Sequence, residues 1–538
     1  MSIVFFLLVL SFTTIYTQIT KIIGSETYRA VSSSQSLYRV KVGKTRGFIY
    51  DRYFRPIVNC RYENTLSVIP SPEVLPLLKS ELSDEEFKAI LPSLESGRPT
   101  KFITNAELDN KDGLSVYSFP IRYSENQIAP HIVGYMNNEN KGIYGIEKGY
   151  DKFLRDMGGE VSLTYRVNAY GGALGSTIEK IRDTRYSELS QGGVVLTLDR
   201  DIQSITENAM RNIEKGAAVV MDVKTGEILG IVSKPSFNPS DVASAINSSD
   251  SPLFNRAIAS YSVGSTFKTV VAAAALERGF STEHKEVCSG KYTLNDVDYH
   301  CHKLSGHWEI DMWEAMAHSC NVYFIELGNK LPYSDIINMA RRLGFDTRIS
   351  LAEGVVCDKG SLPELETITR GEYCNLCFGQ GLLTATPVQI TAMMSTVANG
   401  GIKVNPTLYR GLTDDGYAMF KKAEVYPKER IFSRETAETL NELLTYVVTD
   451  GSGKNAQSRF CSCAGKTGSA QTGKYINEEE IVEGWFAGFF PSESPRYAVA
   501  VLEEGGGNGA KNPSYAFKEI ADNICLLEDK NIRSRYFN

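Results

Sequence analysis

The 538-residue chain is short of several features, and each shortage excludes something. Basic residues are not in surplus: 57 Lys and Arg face 64 Asp and Glu, and the net charge of −7 speaks against nucleic acid as the main partner. There is no fixed repeat period and no low-complexity tract, which excludes a solenoid and a disordered tether. With 42% hydrophobic and 22% charged residues, the composition is that of an ordinary globular protein. There is no second long apolar run after the first, so a multi-span membrane protein is excluded. Ten cysteines in a chain this long do not fix a redox compartment by their number.

The one apolar run, IVFFLLVLSFTTIYTQI from Ile3 to Ile19, has no charged side chain until Lys21. It is just long enough to cross a bilayer. It also lacks a basic flank before it and a small-x-small cleavage site after it, so an uncleaved anchor over residues 1–20 is expected rather than a removed signal peptide. Lys21 lies beyond the span, so charge bias gives no orientation.

At 538 residues the chain is too long for one core, and two or three domains are expected. Residues 21–190 are polar and strand-rich, with helical interludes. TRGFIYDRYFRPIVN (Thr45 to Asn59) alternates like a half-buried strand and turn. SDEEFKAILPSL opens with a capping-box pair, Ser83 and Glu86, and predicts a short helix. No catalytic constellation lies in this half, which is expected to be an elongated pedestal that spaces or docks. Residues 191–538 differ. GAAVVMDVKTGEILGIVSKP predicts two apolar strands around a turn at Lys224 to Gly226, and GWFAGFFP and RYAVAVLEE predict two more near the C-terminus. SYAFKEIADNICLL sets Phe517, Ile520, Ile524 and Leu527 on one helical face. Strands at both ends and helices between them predict an α+β domain, an antiparallel sheet packed by helices.

The chemistry starts from one misplaced charge. SVGSTFKTVVAAAALERG is an apolar helix stopped by Gly279, yet Lys268 sits in its first turn, three residues after Ser265. That spacing puts the two side chains on one face. A serine hydroxyl needs a base to become a nucleophile, and a lysine serves only if burial or a nearby cation lowers its pKa. An S-x-x-K alone is common by chance. Two further fragments lie downstream: S-x-N at Ser319 and Asn321, and K-T-G at Lys466, Thr467 and Gly468. Together, in this order, the three are the signature set of penicillin-binding proteins and related β-lactamases. A division of labour follows. Ser319 relays a proton to the leaving amine, and Asn321 holds the substrate amide. Lys466 depresses the pKa of Lys268, and Thr467 binds a substrate carboxylate. Gly468 lets substrate lie edge-on to the strand, while the N–H groups of Ser265 and Ser469 form an oxyanion hole.

The chain resembles class B penicillin-binding proteins along most of its length. RGFIYDR resembles the family's R-G-x-I-x-D-R, and GIEKGYDKFL its G-x-E-x-x-Y-D-x-x-L. MDVKTGEILGIVS, NRAIASY, GQGLLTATPVQITAMMSTVANGG and GWFAGFFP resemble successive landmarks of the transpeptidase domain. The resemblance implies a single-pass cell-membrane protein with its catalytic domain outside, a D,D-transpeptidase that cross-links peptidoglycan stem peptides. Ser265 attacks D-Ala-D-Ala, and β-lactams acylate the same serine. It implies a membrane glycosyltransferase as partner and no cofactor for catalysis. Val263 stands where the family has proline, and K-T-G-S replaces the commoner K-T-G-T. No segment resembles a glycosyltransferase domain, so a bifunctional class A enzyme is not expected. A D,D-carboxypeptidase or β-lactamase on the same fold, and a β-lactam sensor, are the alternatives.

Histidine is scarce, six residues in all, yet His284, His300, His302, His307 and His318 crowd one region beside Cys288, Cys301 and Cys320. Thiols and imidazoles at that density are the composition of a structural Zn²⁺ site, with Cys288, Cys301, His307 and Cys320 as ligands and His302 in reserve. Some elongation-type class B proteins are similar here. A Cys288–Cys301 disulfide and a plain solvent loop remain open. Cys374 and Cys377, in C-x-x-C, have no βαβ context and are read as packing residues, as are Cys461 and Cys463.

Overall fold

The computed structural model describes residues 2–184, 191–476, 478–506 and 511–537. The expected domain boundary at residue 190 lies outside them. The chain forms two compact units: Met1–Gly47 with Asn59–Ser124 and Phe153–Gly192, and Phe48–Val58 with Glu125–Lys152 and Gly193–Asn538. Two segments N-terminal to residue 190, 48–58 and 125–152, thus cluster with the second unit. The first does so because strand Phe48–Tyr50 pairs in parallel with Gly193–Leu196. Just beyond it, the buried Asp51 carboxylate accepts from Arg55 Nε at 2.6 Å, and Arg55 reaches Asp199 at 3.0 Å and Asp201 at 2.7 Å.

The first unit opens with the helix Ser2–Gly24, none of it buried and apolar enough to cross a membrane. Its 23 residues reach about 34 Å at 1.5 Å per residue, enough for a hydrocarbon layer of about 30 Å. Beyond it lie two three-stranded antiparallel sheets, one centred on Glu160–Val167 and one on Arg61–Val68. Helix Asp84–Glu95 starts at Ser83 with both halves of the capping box formed.

The second unit is built on a five-stranded antiparallel sheet: β1 (Gly216–Asp222), β2 (Ile228–Lys234), β3 (Ala464–Ile476), β4 (Glu479–Phe490) and β5 (Tyr497–Glu503), in the order β2-β1-β5-β4-β3. Strands from both ends of the unit meet because β5 pairs with β1, Val499 opposite Val220. The sheet is covered on both faces, and the pleat divides β5 between them. Ala498, Ala500 and Leu502 join one core, with α2 (Lys268–Glu277), α3 (Asn321–Asn329), α4 (Pro387–Ala398) and α5 (Arg434–Thr449). Val499 and Val501 join the other, with α1 (Arg200–Ala209) and α6 (Lys511–Phe537). This is the α+β arrangement that the strand and helix pattern implies. On α6 the expected apolar face is the docked one: Phe517, Ile520 and Ile524 are fully buried, and Leu527 packs at the edge.

Cys374 and Cys377 are both buried in helix Arg370–Cys377. A Cβ on Gly328 would fall 2.3 Å from Cys377 Sγ, so the thiol occupies space that only a glycine leaves open.

Phe517 packs tilted against Phe486 and edge-on against Phe490, with ring centroids 4.7 and 5.8 Å away. Phe517→Ala is expected to destabilise the unit by about 3–5 kcal/mol, read as a lower denaturant midpoint with little change in slope.

Candidate functional site

The site assembles where three segments of the second unit converge. Helix α2 is buried from Lys268 through Ala275, so its first residue enters the core with its amine. The preceding residues, Gly264–Phe267, form one 3₁₀ turn that presents Ser265. Side chains three apart eclipse in such a turn, so Ser265 and Lys268 still share a face although only Lys268 is α-helical. Gly264 has φ +62°, and a Cβ there would lie 2.8 Å from the Ser469 carbonyl oxygen. Glycine is what allows the Ser265 turn to lie against β3. Val263, at the position where the resembling family has proline, is fully buried with φ −90°.

Lys268 is wholly buried, and its Nζ is 3.1 Å from Ser265 Oγ. It also lies 2.6 Å from the Ser319 carbonyl, 3.1 Å from Ser319 Oγ and 2.7 Å from Asn321 Oδ1. Burial pulls its pKa from 10.5 down to about 8, against the opposing pull of the Cys320 and Cys301 thiols. Ser319 holds a left-handed backbone, φ +53°, a conformation uncommon for a non-glycine residue. Cys320 then caps α3, its sulfur accepting from Tyr323 N at 3.4 Å. Asn321 Nδ2 donates to the His300 carbonyl at 3.0 Å, so its side chain bridges the lysine and the cysteine-rich loop.

Strand β3 supplies the third wall. Lys466 is fully buried, with its Nζ 3.2 Å from the Thr467 carbonyl. Burial pushes its pKa well down, and the charge of Lys268 pushes it further. The sequence reading runs the influence from Lys466 to Lys268. In the structure burial is the first cause for both amines, and their mutual repulsion disfavours the charged form of each. Thr467 Oγ1 hydrogen-bonds Ser452 Oγ at 2.9 Å. Gly468 packs on the Ser265 turn: a Cβ would sit 3.0 Å from Thr266 Cγ2 and 3.0 Å from Trp485 Cβ. Its lack of a side chain therefore serves the fit of strand to turn. Ser469 is exposed, and its carbonyl accepts from Gln380 Nε2 at 3.3 Å. Ser452 and Gln380 escaped sequence reasoning. Ser452 lies in a glycine-flanked loop with no motif spacing, and Gln380 lies within a landmark whose individual residues carried no assigned role.

Beside the Ser319 turn, Cys288, Cys301, His307 and Cys320 bring their donor atoms within 4.8 Å of one another. Cys301 Sγ is 3.6 Å from His307 Nδ1 and 3.9 Å from Cys320 Sγ. Two donors bound at about 2.3 Å in a tetrahedron lie about 3.8 Å apart, so the set fits Zn²⁺. Donation from the Cys320 thiol holds the Cys301 thiol below its ordinary range and raises Cys320 itself. His302 Nδ1 lies 3.8 Å from Cys301 Sγ, but this residue is exposed and outside the four. Cys288 and Cys301 are free thiols, not a disulfide.

Residues 216–525, which hold all these motifs, match the penicillin binding protein transpeptidase domain. The chain is 31% identical over 398 residues to stage V sporulation protein D of Bacillus subtilis, covering 70% of this chain and 59% of that protein. It is 28% identical, over an alignment of 565 residues, to peptidoglycan D,D-transpeptidase MrdA of Acinetobacter baumannii, covering 90% of this chain and 81% of that protein. Among solved structures, a chain described under the structural coordination of polymerization and crosslinking by a peptidoglycan synthase complex superposes with a TM-score of 0.69. That likeness, at 23% identity over 97% of this chain and 98% of the other, is one of fold. Since the matched domain spans more than half of the sequence and the likeness to the sporulation protein extends over 70% of it, the chain belongs to the penicillin-binding proteins, among the class B transpeptidases.

Proposed function

We propose that this chain is a peptidoglycan D,D-transpeptidase working through an acyl-enzyme on Ser265. The observation that carries the reading is the wholly buried Lys268 amine, 3.1 Å from Ser265 Oγ, with a pKa brought down to about 8. Neutral Lys268 takes the hydroxyl proton as Ser265 Oγ attacks the carbonyl between the two D-alanines. Backbone N–H groups of Ser265 and Ser469 are the donors for the resulting oxyanion. The proton passes through Ser319 to the departing D-alanine amine. An amine of a second stem peptide then attacks the ester, its proton returns by the same route, and Ser265 is released. Asn321 orients the donor amide, while Lys466 and Thr467 receive its terminal carboxylate. β-Lactams enter the same path and stop at the ester.

The apolar N-terminal helix supports a single-pass anchor, and a peptidoglycan substrate requires the second unit to face the cell exterior. A membrane glycosyltransferase that supplies uncross-linked strands is the partner this chemistry calls for. Zinc is proposed at Cys288, Cys301, His307 and Cys320, where it would supply no chemistry to the reaction. Cys320 lies between Ser319 and Asn321, so these ligands would tie the turn that bears both side chains to the cysteine-rich loop.

Ser265→Ala is expected to abolish covalent labelling by a fluorescent penicillin while circular dichroism stays unchanged. Full labelling of that variant would sink the site assignment. Lys268→Ala should slow acylation roughly 10²–10⁴-fold, the range of general-base catalysis. Because the folded-state pKa lies below that of a free lysine, the competent neutral form accumulates as pH rises. The acylation rate should therefore climb through about pH 8 and then level off. A flat profile from pH 7 to 9 would contradict Lys268 as the base. Elemental analysis of protein purified without chelator should find one zinc per chain. Cys301→Ser should lose that metal and melt at a lower temperature, and metal-free wild type with intact thiols would refute the site.

A further inference from the structure

Outside the catalytic site and the thiol–imidazole tetrad, a second group of sulfurs lies where the lead-in to β3 meets α6. Cys461 Sγ and Cys525 Sγ are 3.0 Å apart, although 64 positions separate them in sequence. The sequence reading takes Cys461 and Cys463 as small buried packing residues. Cys463 fits that reading at 3% exposure, but Cys461 and Cys525 are only half-buried. A reagent can therefore reach the pair, in contrast to the enclosed Cys374 and Cys377.

The two segments are already pinned in register. Asp522, three residues before Cys525 on the same face of α6, accepts from Ser458 Oγ at 2.6 Å and from Arg459 N at 2.8 Å through one carboxylate oxygen. The facing thiols need roughly 1 Å of further approach to reach bonding distance. Donation from the Cys463 thiol, and then from Cys525, holds the Cys461 thiol below its ordinary range, while Cys525 is raised. Across the 3.0 Å gap Cys525 Sγ donates and Cys461 Sγ accepts, so Cys461 is assigned the attack and Cys525 the resolving step.

We propose that Cys461 and Cys525 form a redox-active pair that closes to a disulfide, stapling the start of the strand that bears Lys466 and Thr467 to the C-terminal helix. The oxidant is a disulfide, small-molecule or protein-borne. The Cys461 thiolate attacks one of its sulfurs, forming a mixed disulfide and releasing one thiol of the oxidant. Cys525, losing its proton, attacks Cys461 Sγ and expels the second. Two protein thiols become one disulfide, and one external disulfide becomes two thiols carrying both protons. The inference is independent of the reaction at Ser265.

The test uses the full chain in detergent, equilibrated with oxidised glutathione and then digested without reductant. Mass spectrometry should find the Cys461 peptide joined to the Cys525 peptide, and dithiothreitol should separate them. Cys463→Ser should keep the cross-link and Cys525→Ser should lose it. Oxidised wild type should melt a few degrees above reduced wild type, with no such rise in Cys525→Ser. Recovery of Cys461 joined to Cys463, or of Cys461 unlinked after oxidation, would overturn the pairing. A Cys461–Cys525 cross-link that leaves the melting temperature unchanged would overturn the staple.

Discussion

Everything at the site depends on keeping one amine away from water. Lys268 is inside because its helix is apolar on all sides, and Nζ is tolerated there because four oxygens from three residues surround it. An unpartnered buried amine would be far more costly, and a solvated one would stay protonated near its ordinary pKa. The positions of Ser265, Ser319 and Asn321 are best understood as solutions to that one problem. The 3₁₀ turn delivers the first oxygen, and the left-handed Ser319 delivers its carbonyl and hydroxyl to the same nitrogen. The same groups that make the burial bearable are those the proposed chemistry uses.

Cysteine appears in this second unit in three different physical settings. Cys374 and Cys377 fill space, and their chemistry is shut off by burial. Cys288, Cys301 and Cys320 converge with His307 behind the S-x-N turn. Cys461 and Cys525 face each other in partial contact with solvent. Residue type alone does not distinguish the three; exposure and the identity of the nearest donor atom do.

Much of this was legible in the chain. The apolar strands around Gly226, the strands on either side of Pro495 and the apolar face of Phe517 and Ile520 all carry local periodicity, and local periodicity survives folding. The motif residues were legible because their spacing is short: three between Ser265 and Lys268, two between Ser319 and Asn321. What escaped was non-local. Ser452 meets Thr467 and Gln380 meets the Ser469 carbonyl only because the sheet closes strands from distant parts of the sequence. Cys525 likewise faces Cys461 only once α6 has docked. The membership of 48–58 in the second unit was hidden for the same reason, since a parallel pairing leaves no turn signal between its strands.

The partners of Lys268 Nζ are oxygens of Ser265, Ser319 and Asn321, and that of Lys466 Nζ belongs to Thr467; none is a carboxylate. Among the described residues, then, no carboxylate hydrogen-bonds either buried amine, and only the Cys320 and Cys301 thiols pull on Lys268 toward its charged form. In the proposed reaction the carboxylate that these amines lack arrives with the ligand. A terminal carboxylate settling beside Lys466 would stabilise the ammonium form there and relieve the repulsion between the two amines. Recognition of the ligand's charge and preparation of the base are then coupled through a single electrostatic balance. A molecule of the right shape but without that negative charge would leave the balance unmet.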